Sequence, residues 1–144
     1  MPGVFHFLYA AGGAISNNRR KSPVYFMNRL YRHAIDEYLS QHAFDVVITS
    51  HLFPAEVLTS LKREGRLRAR TIAIATDYTC IPFWEETELD RYILPHKDLI
   101  GEFAEKGLPR EKLLPYGIPV RECFCQKGDK KYARRLLELP QDKP

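Results

Sequence analysis

Long apolar runs, paired cysteines and glycine-rich phosphate-binding loops are all missing from this sequence of 144 residues. No apolar run approaches the ~20 residues that a transmembrane helix requires. The three cysteines, Cys80, Cys123 and Cys125, offer no second pair at metal-site spacing, which favours free thiols in a reducing compartment. A P-loop and a nucleophile elbow are also lacking, so we predict neither a metal nor a cofactor.

The charge balance is modestly basic, with a net charge of +4. No nucleic-acid-binding motif accompanies it, which argues against a nucleic-acid partner. The basic residues cluster, and their simplest interpretation is a solvated face. The alternative is an anionic membrane surface, because basic clusters and the apolar residues 4–9 supply the two signals of a surface-bound protein. The predicted membrane-contact residues are Arg19, Arg20, Lys21, Arg66, Arg68 and Arg70.

Apolar residues recur at helix and strand spacings along most of the chain. Helical spacing predicts helices over residues 23–42, 54–64, 97–106 and 129–139. Short runs rich in β-branched residues predict buried strands over residues 45–49 and 71–75, with further short strands over residues 91–94 and 112–116. Because strands and helices alternate, the expected fold is α/β, a Rossmann-like parallel sheet with helices on both faces.

The residues that follow the predicted strands mark a candidate cleft, since ligands bind at the carboxyl ends of strands in open parallel sheets. These residues are His51, Thr76, Asp77, Tyr78, His96, Gly117, Ile118 and Pro119. The alternative interpretations are local ones. His51 caps a helix, Asp77 bonds the backbone of its own turn, His96 is a surface residue, and Gly117 is a turn former.

The loop after the second strand combines aromatic rings with carboxylates. It opens on Asp77 and Tyr78 and continues to Trp84, Glu85 and Glu86. Rings stack on sugar or glycerol surfaces and carboxylates accept hydrogen bonds from hydroxyl groups, so the loop indicates contact with a sugar or a lipid headgroup. The alternative is that Trp84 anchors the loop in the core.

Five motifs occur in an order and spacing that resemble one family. They are SHLFP at residues 50–54, ATDY at 75–78, Trp84, DRY at 90–92, and GIPV at 117–120 followed by Phe124. No motif is specific alone, but the five in order are. From about residue 22 to residue 144, and less clearly before residue 22, the chain resembles the monogalactosyldiacylglycerol synthase and processive diacylglycerol glucosyltransferase family.

The resemblance implies the partial N-terminal, acceptor-side domain of a two-domain GT-B fold over residues 1–128. Residues 129–144 then form a helix and linker towards a missing donor-binding domain. The implied reaction is an inverting transfer from a UDP-hexose, held mainly by that missing domain, to diacylglycerol. The implied location is cytoplasmic, on the inner face of the cell membrane. Catalytic residues stay unassigned, and Ile81 stands where many relatives carry a histidine.

Two other functions stay open. One is a related transferase that acts on another lipid-linked acceptor. The other is a non-catalytic module that binds a lipid or a partner.

Overall fold

Four parallel strands and four helices make up the part of the fold that the structure describes. The computed structural model describes residues 23–125 and 128–140. The strands are β1 (Val46–Thr49), β2 (Arg70–Ile74), β3 (Arg91–Ile93) and β4 (Leu113–Leu114). The helices are α1 (Pro23–Gln41), α2 (Leu52–Arg63), α3 (Leu99–Glu105) and α4 (Lys130–Leu136). Short 3₁₀ turns lie at Trp84–Glu86, Arg110–Lys112 and Glu122–Phe124.

The sheet has the strand order β1-β2-β3-β4, and every neighbouring pair is parallel. The predicted Rossmann-like α/β fold with a parallel sheet is therefore confirmed. Each strand lies beside the next one in the chain, and helices or the long loop after β2 supply the crossovers that parallel pairing demands. Sequence order and spatial order coincide, so the four carboxyl ends line one edge of the sheet.

Helix α2 begins two residues before the predicted start at Pro54. His51 is its N-cap, and the Nδ1 atom of His51 accepts a hydrogen bond from the Phe53 amide at 3.2 Å. Pro54 thus occupies the third helical position. A proline is tolerated there because the first four amides of a helix lack intrahelical acceptors.

The hydrophobic core lies on one face of the sheet. Ala73, Tyr92 and Leu94 on that face are buried in the same cluster as Leu58 of α2 and Phe103 of α3. The alternation of side chains along each strand sends every second residue into this core. Burial of one aromatic or leucine side chain contributes about 1.5–3 kcal/mol, so this cluster is the main source of stability.

The other face of the sheet is apolar but incompletely covered. Ile72, Ile74 and Ile93 are half-buried there, whereas Val46 and Ile48 of β1 are 44% and 60% exposed. β1 is also the terminal strand among the strands that the structure describes. An exposed apolar edge strand of this kind promotes association with other chains.

Helix α1 packs chiefly against α2. Tyr31 and Tyr38 of α1 are exposed, whereas Asp36 is buried and Leu39 packs against the core. Asp36 forms an ion pair with the exposed Arg66, which follows α2, and this pair therefore joins the two helices. A buried carboxylate needs such a cationic partner.

Candidate functional site

The carboxyl ends of the strands form a polar edge. The register pairs Thr49 with Ala73 and Ile93 with Leu114, so the four strands end almost level. Neighbouring strands are about 4.8 Å apart, which makes the edge roughly 15 Å long. His51, residues 76–78, His96 and residues 117–119 follow these ends directly, as the sequence predicted.

His51 lies at the β1 end of this edge with an exposed ring. The ring packs against Phe53 with centroids 4.9 Å apart, and its Nδ1 atom accepts the cap hydrogen bond. The predicted capping role is therefore present. A neutral imidazole that accepts at Nδ1 carries its proton on Nε2, so the capped ring offers a hydrogen-bond donor to a ligand oxygen.

Thr76, Asp77 and Tyr78 are exposed at the end of β2, and Tyr78 is 70% exposed. Exposed at the carboxyl end of a strand, the Asp77 carboxylate is available to accept hydrogen bonds from ligand hydroxyl groups. The Tyr78 ring is similarly accessible for stacking. Both side chains are therefore accessible to a ligand at this edge.

The loop that carries them is held by a carboxylate on α3. Glu102 accepts hydrogen bonds from the Thr79 hydroxyl at 2.6 Å and from the Cys80 amide at 2.8 Å. These two hydrogen bonds lower the pKa of Glu102, with the Thr79 hydroxyl as the larger cause. Lys106, one helical turn later, donates to the Cys80 carbonyl oxygen. These hydrogen bonds between α3 and the loop were not predicted. The four-residue spacing of Glu102 and Lys106 is the sequence feature that places both side chains on one face of the helix.

The ends of β3 and β4 meet at Gly117. Its amide donates to the Leu94 carbonyl at 3.0 Å, and its φ of +86° lies in the region that favours glycine. A methyl group in place of its hydrogen would lie 3.9 Å from the Pro95 carbonyl oxygen. His96 is exposed beside this turn, with its Nδ1 atom 3.2 Å from the Asp98 carboxylate. Gly117 thus brings residues 117–119 next to His96.

A short 3₁₀ turn carries three predicted cleft residues, Trp84, Glu85 and Glu86. Trp84 is only 2% exposed and packs edge-on against Tyr92, so the alternative of a loop anchor in the core is what the structure contains. Glu85 lies beside Gly107, whose added methyl group would be 3.8 Å from the Glu85 Cβ atom. Burial is the main cause of the raised pKa of the Cys80 thiol, and the Glu85 carboxylate also contributes to it.

An apolar groove of about 330 Å³ opens between α1 and α2. Its lining residues are Tyr31, Ala34, Ile35, His51, Phe53, Pro54 and Val57. His51 thus belongs both to the polar edge and to the groove. This groove was not predictable from the sequence, because Tyr31 and Phe53 are distant in the chain and line one groove only after folding.

The described part of the predicted membrane-contact set lies at the opposite edge of the sheet. Arg70 opens β2 and its amide donates to the Asp45 carbonyl, at the amino ends of the strands. Arg66 and Arg68 are exposed nearby in sequence, and Arg66 is engaged by Asp36. Residues 4–9, Arg19, Arg20 and Lys21 lie outside the described residues.

Within residues 23–125 and 128–140, no cluster of three or more His, Cys, Asp or Glu side chains has the arrangement of a metal site. No helix in the same part of the chain combines the length and apolarity needed to cross a bilayer. The chemistry available at the edge is thus hydrogen bonding by His51 and Asp77 and stacking by Tyr78.

Comparison with known proteins adds a family to this geometry. The protein-family model described as monogalactosyldiacylglycerol (MGDG) synthase matches residues 4–120. The match includes the residues before 22, where the resemblance was less clear, and it stops at residue 120 rather than at the predicted 144, before α4. It covers the whole sheet and every residue of the polar edge.

Curated relatives agree with this family. The processive diacylglycerol beta-glucosyltransferase of Staphylococcus saprophyticus is 32% identical over 92 residues, which are 64% of this chain and 24% of that enzyme. The enzyme of the same name from Staphylococcus carnosus is 27% identical over the same fractions. That of Bacillus thuringiensis is 28% identical over 72 residues, covering 50% of this chain and 19% of the relative. The chain thus matches at most about a quarter of these relatives' length. No solved structure matches it.

Proposed function

Because the chain belongs to the monogalactosyldiacylglycerol synthase family, we propose that it forms the acceptor side of a glycosyltransferase acting on diacylglycerol. The observation that carries this proposal is the junction of the polar edge with the apolar groove at His51. Diacylglycerol has one hydroxyl group and two acyl chains. An edge of hydrogen-bonding groups that continues into an apolar groove matches that combination.

The exposed side chains of the edge suit separate parts of this acceptor. The Nε2–H group of His51 donates to a glycerol oxygen, and the Asp77 carboxylate accepts from a hydroxyl group. The Tyr78 ring stacks on the glycerol or on a sugar already attached to it. Glu102 keeps the loop of Asp77 and Tyr78 in place through Thr79 and Cys80. No residue is assigned as the catalytic base.

The donor in this proposal is a UDP-hexose, and the transfer inverts the configuration of the sugar. The polar edge has no cluster of cations or glycine-rich turn for a diphosphate among the residues that the structure describes. A separate donor-binding domain, towards which residues 129–144 lead, supplies that function. The relevant membrane is the cytoplasmic, inner face of the cell membrane, where its anionic lipids attract a basic protein.

Binding of a soluble acceptor tests the proposal without any donor domain. The probe is dioctanoylglycerol, titrated into the isotopically labelled chain and followed by amide chemical shifts. We expect shifts at Asp77, Tyr78 and the groove residues of α1 and α2. Replacing Asp77 and Tyr78 by alanine should weaken binding about tenfold, since two polar or stacking contacts are lost.

Phe124→Ala is the matched control, because Phe124 is 77% exposed and outside the edge. Its affinity for dioctanoylglycerol should equal that of the wild type. Equal affinity of the wild type, the Asp77 and Tyr78 variant and Phe124→Ala would contradict the assigned acceptor site. Absence of dioctanoylglycerol binding to the wild type would contradict the proposed function itself.

A further inference from the structure

We propose that the groove between α1 and α2 holds a single acyl chain, so that this site binds monoacylglycerols about as tightly as diacylglycerols. The inference rests on the proposed function and deepens it, because it states how much of the lipid the protein contacts. The groove has a volume of about 330 Å³ and meets the polar edge at His51. A glycerol group bound at the edge is therefore positioned to send an acyl chain past His51 into the groove.

The lining of the groove suits hydrocarbon. Val57 of α2 is 2% exposed and forms the floor. Phe53 and Pro54 of α2 face the groove, and Ala34 and Ile35 of α1 complete this apolar lining. An acyl chain that covers these side chains leaves water, and each methylene group buried in this way tightens binding by about fourfold. The groove thus favours a hydrocarbon chain over a polar ligand.

The two helices that form the groove are joined beyond its far end. Arg32 of α1 forms an ion pair with Glu64, and Asp36 of α1 forms an ion pair with Arg66. Both partners follow the last residue of α2, whereas the first turns of α2 line the groove. The buried Asp36 needs its cationic partner, so α1 keeps its position beside α2. The groove is therefore preformed, as sites for small ligands usually are.

The size of the groove admits one acyl chain and excludes two. Sites for drug-sized ligands have volumes of about 300–1,000 Å³, and this groove lies near the lower limit of that range. Two long acyl chains are larger than such a ligand. Both also start from the same glycerol group, so they would have to enter side by side at His51. The second chain therefore stays outside the groove and adds little to the binding free energy.

Binding of one-chain and two-chain glycerides to the full chain tests the proposal. The probes are monooctanoylglycerol and dioctanoylglycerol, each titrated into the isotopically labelled chain and followed by amide chemical shifts. We expect the two dissociation constants to differ by less than about tenfold, because one acyl chain is buried in either complex. A second buried octanoyl chain would tighten binding by far more than about tenfold, at about fourfold for each methylene group.

Chain length tests whether the acyl chain enters the groove. Monohexanoylglycerol lacks two methylene groups and should bind the wild type roughly tenfold more weakly than monooctanoylglycerol. Ala34 is exposed and lines the groove, so Ala34→Phe places a ring in it. We expect this variant to bind monooctanoylglycerol at least about tenfold more weakly and to distinguish the two chain lengths by less than about threefold. Ala133→Phe, at an exposed position of α4, is the matched control and should behave as the wild type does.

Two further measurements complete the design. Trp84, the one tryptophan, is buried in the core, so an unchanged emission spectrum shows that a variant is folded. Octanol carries the same hydrocarbon without the glycerol group, and it should bind at least about tenfold more weakly than monooctanoylglycerol because the hydrogen bonds at the polar edge are lost.

A folded Ala34→Phe variant that binds monooctanoylglycerol as the wild type does would overturn the proposal. Dioctanoylglycerol that binds more than about tenfold tighter than monooctanoylglycerol would also overturn it, while leaving the proposed acceptor function intact. Octanol that binds as tightly as monooctanoylglycerol would show that the groove and the polar edge do not act as one site. If the wild type binds neither glyceride, the proposed function fails together with this inference.

Discussion

Single carboxylates determine how the loops of this molecule are held. Asp90 accepts hydrogen bonds from Lys62 at 2.5 Å and from the Thr71 amide at 2.7 Å, which joins α2, β2 and the loop before β3. Burial opposes its charge, but these hydrogen bonds outweigh burial and lower its pKa from 3.8 to about 2. A carboxylate with a lowered pKa stabilises the folded state above its unfolded pKa and loses that contribution as the pH falls.

We expect Asp90→Asn to lower the free energy of unfolding by about 1 kcal/mol at neutral pH, a value that allows for solvent screening of the partly exposed pair. The difference from the wild type should shrink as the pH falls from 3.8 towards 2, where Asp90 itself becomes protonated. Urea denaturation at a series of pH values measures this. Glu105→Gln, at an exposed position, is the control, and a difference that is independent of pH would contradict the assignment.

Glu102 controls access to a thiol through the loop it holds. Burial raises the pKa of Cys80 to about 12, and the side chain is only 1% exposed. Cys123 and Cys125 are exposed and should react first with a thiol reagent. We expect Glu102→Ala to speed the labelling of Cys80 at least about fivefold by raising the population of open loop. Mass spectrometry of labelled peptides measures this, with Glu105→Ala as control. Equal labelling rates of Cys80 in both variants would show that Glu102 does not hold the loop closed.

Some residues of the candidate site could be placed from the sequence alone. The strand-end rule located His51, Asp77, Tyr78 and His96 correctly on one edge, because it depends only on strand positions. It could not exclude Trp84, since an indole fits both a sugar-binding surface and a core. Only packing against Tyr92 resolves that choice.

Among the elements of the fold, glycine stabilises a turn with positive φ but destabilises a helix. Gly117 has a φ of +86° at the junction of β3 and β4, and a methyl group there would make only an ordinary contact of 3.9 Å with the Pro95 carbonyl oxygen. Gly101 lies inside α3 and has open space around it. Alanine substitutions at the two positions therefore measure the effect of backbone conformation without a steric clash.

We expect Gly117→Ala to destabilise the chain by about 1–2 kcal/mol, the cost of a left-handed conformation for a residue with a Cβ atom. Gly101→Ala should stabilise it by about 0.5–1 kcal/mol, because alanine favours the helix. Thermal unfolding of both variants measures the pair. If both substitutions changed the stability equally and in the same direction, the turn would not require a positive φ at residue 117.

Element boundaries were predictable where local chemistry sets them. All four strands appeared within one or two residues of their apolar runs at their amino ends. The start of α2 was predicted two residues late because Pro54, a residue favoured at the first helical position, occupies the third position instead. The ion pair between Asp36 of α1 and Arg66 could not be predicted, because it joins residues that are distant in sequence.

At the scale of the whole molecule, the exposed edge strand β1 should govern association. We expect the wild-type chain to form dimers or larger oligomers in sedimentation experiments. Ile48→Lys should shift it towards the monomer, because a charge on an apolar edge strand opposes pairing with another chain. Val120→Lys, at a position 62% exposed, is the matched control and should leave association unchanged. A monodisperse wild-type monomer would contradict this expectation.

A chimeric enzyme can test the proposed acceptor function of this chain. In the Staphylococcus saprophyticus glucosyltransferase, the aligned 92-residue stretch is replaced by that of this chain. Transfer of labelled glucose from UDP-glucose to dioleoylglycerol is then measured, after a cooperative thermal transition has shown that the chimera is folded. The chain by itself should show no transfer, because the donor and the acceptor must be held together.

We expect the chimera to form glucosyl-diacylglycerol, and Asp77→Ala with Tyr78→Ala to lower its kcat/KM at least about tenfold, while Glu105→Gln leaves it unchanged. A folded chimera that transfers no glucose, or one that transfers equally well without Asp77 and Tyr78, would contradict the assignment of this edge as the acceptor site.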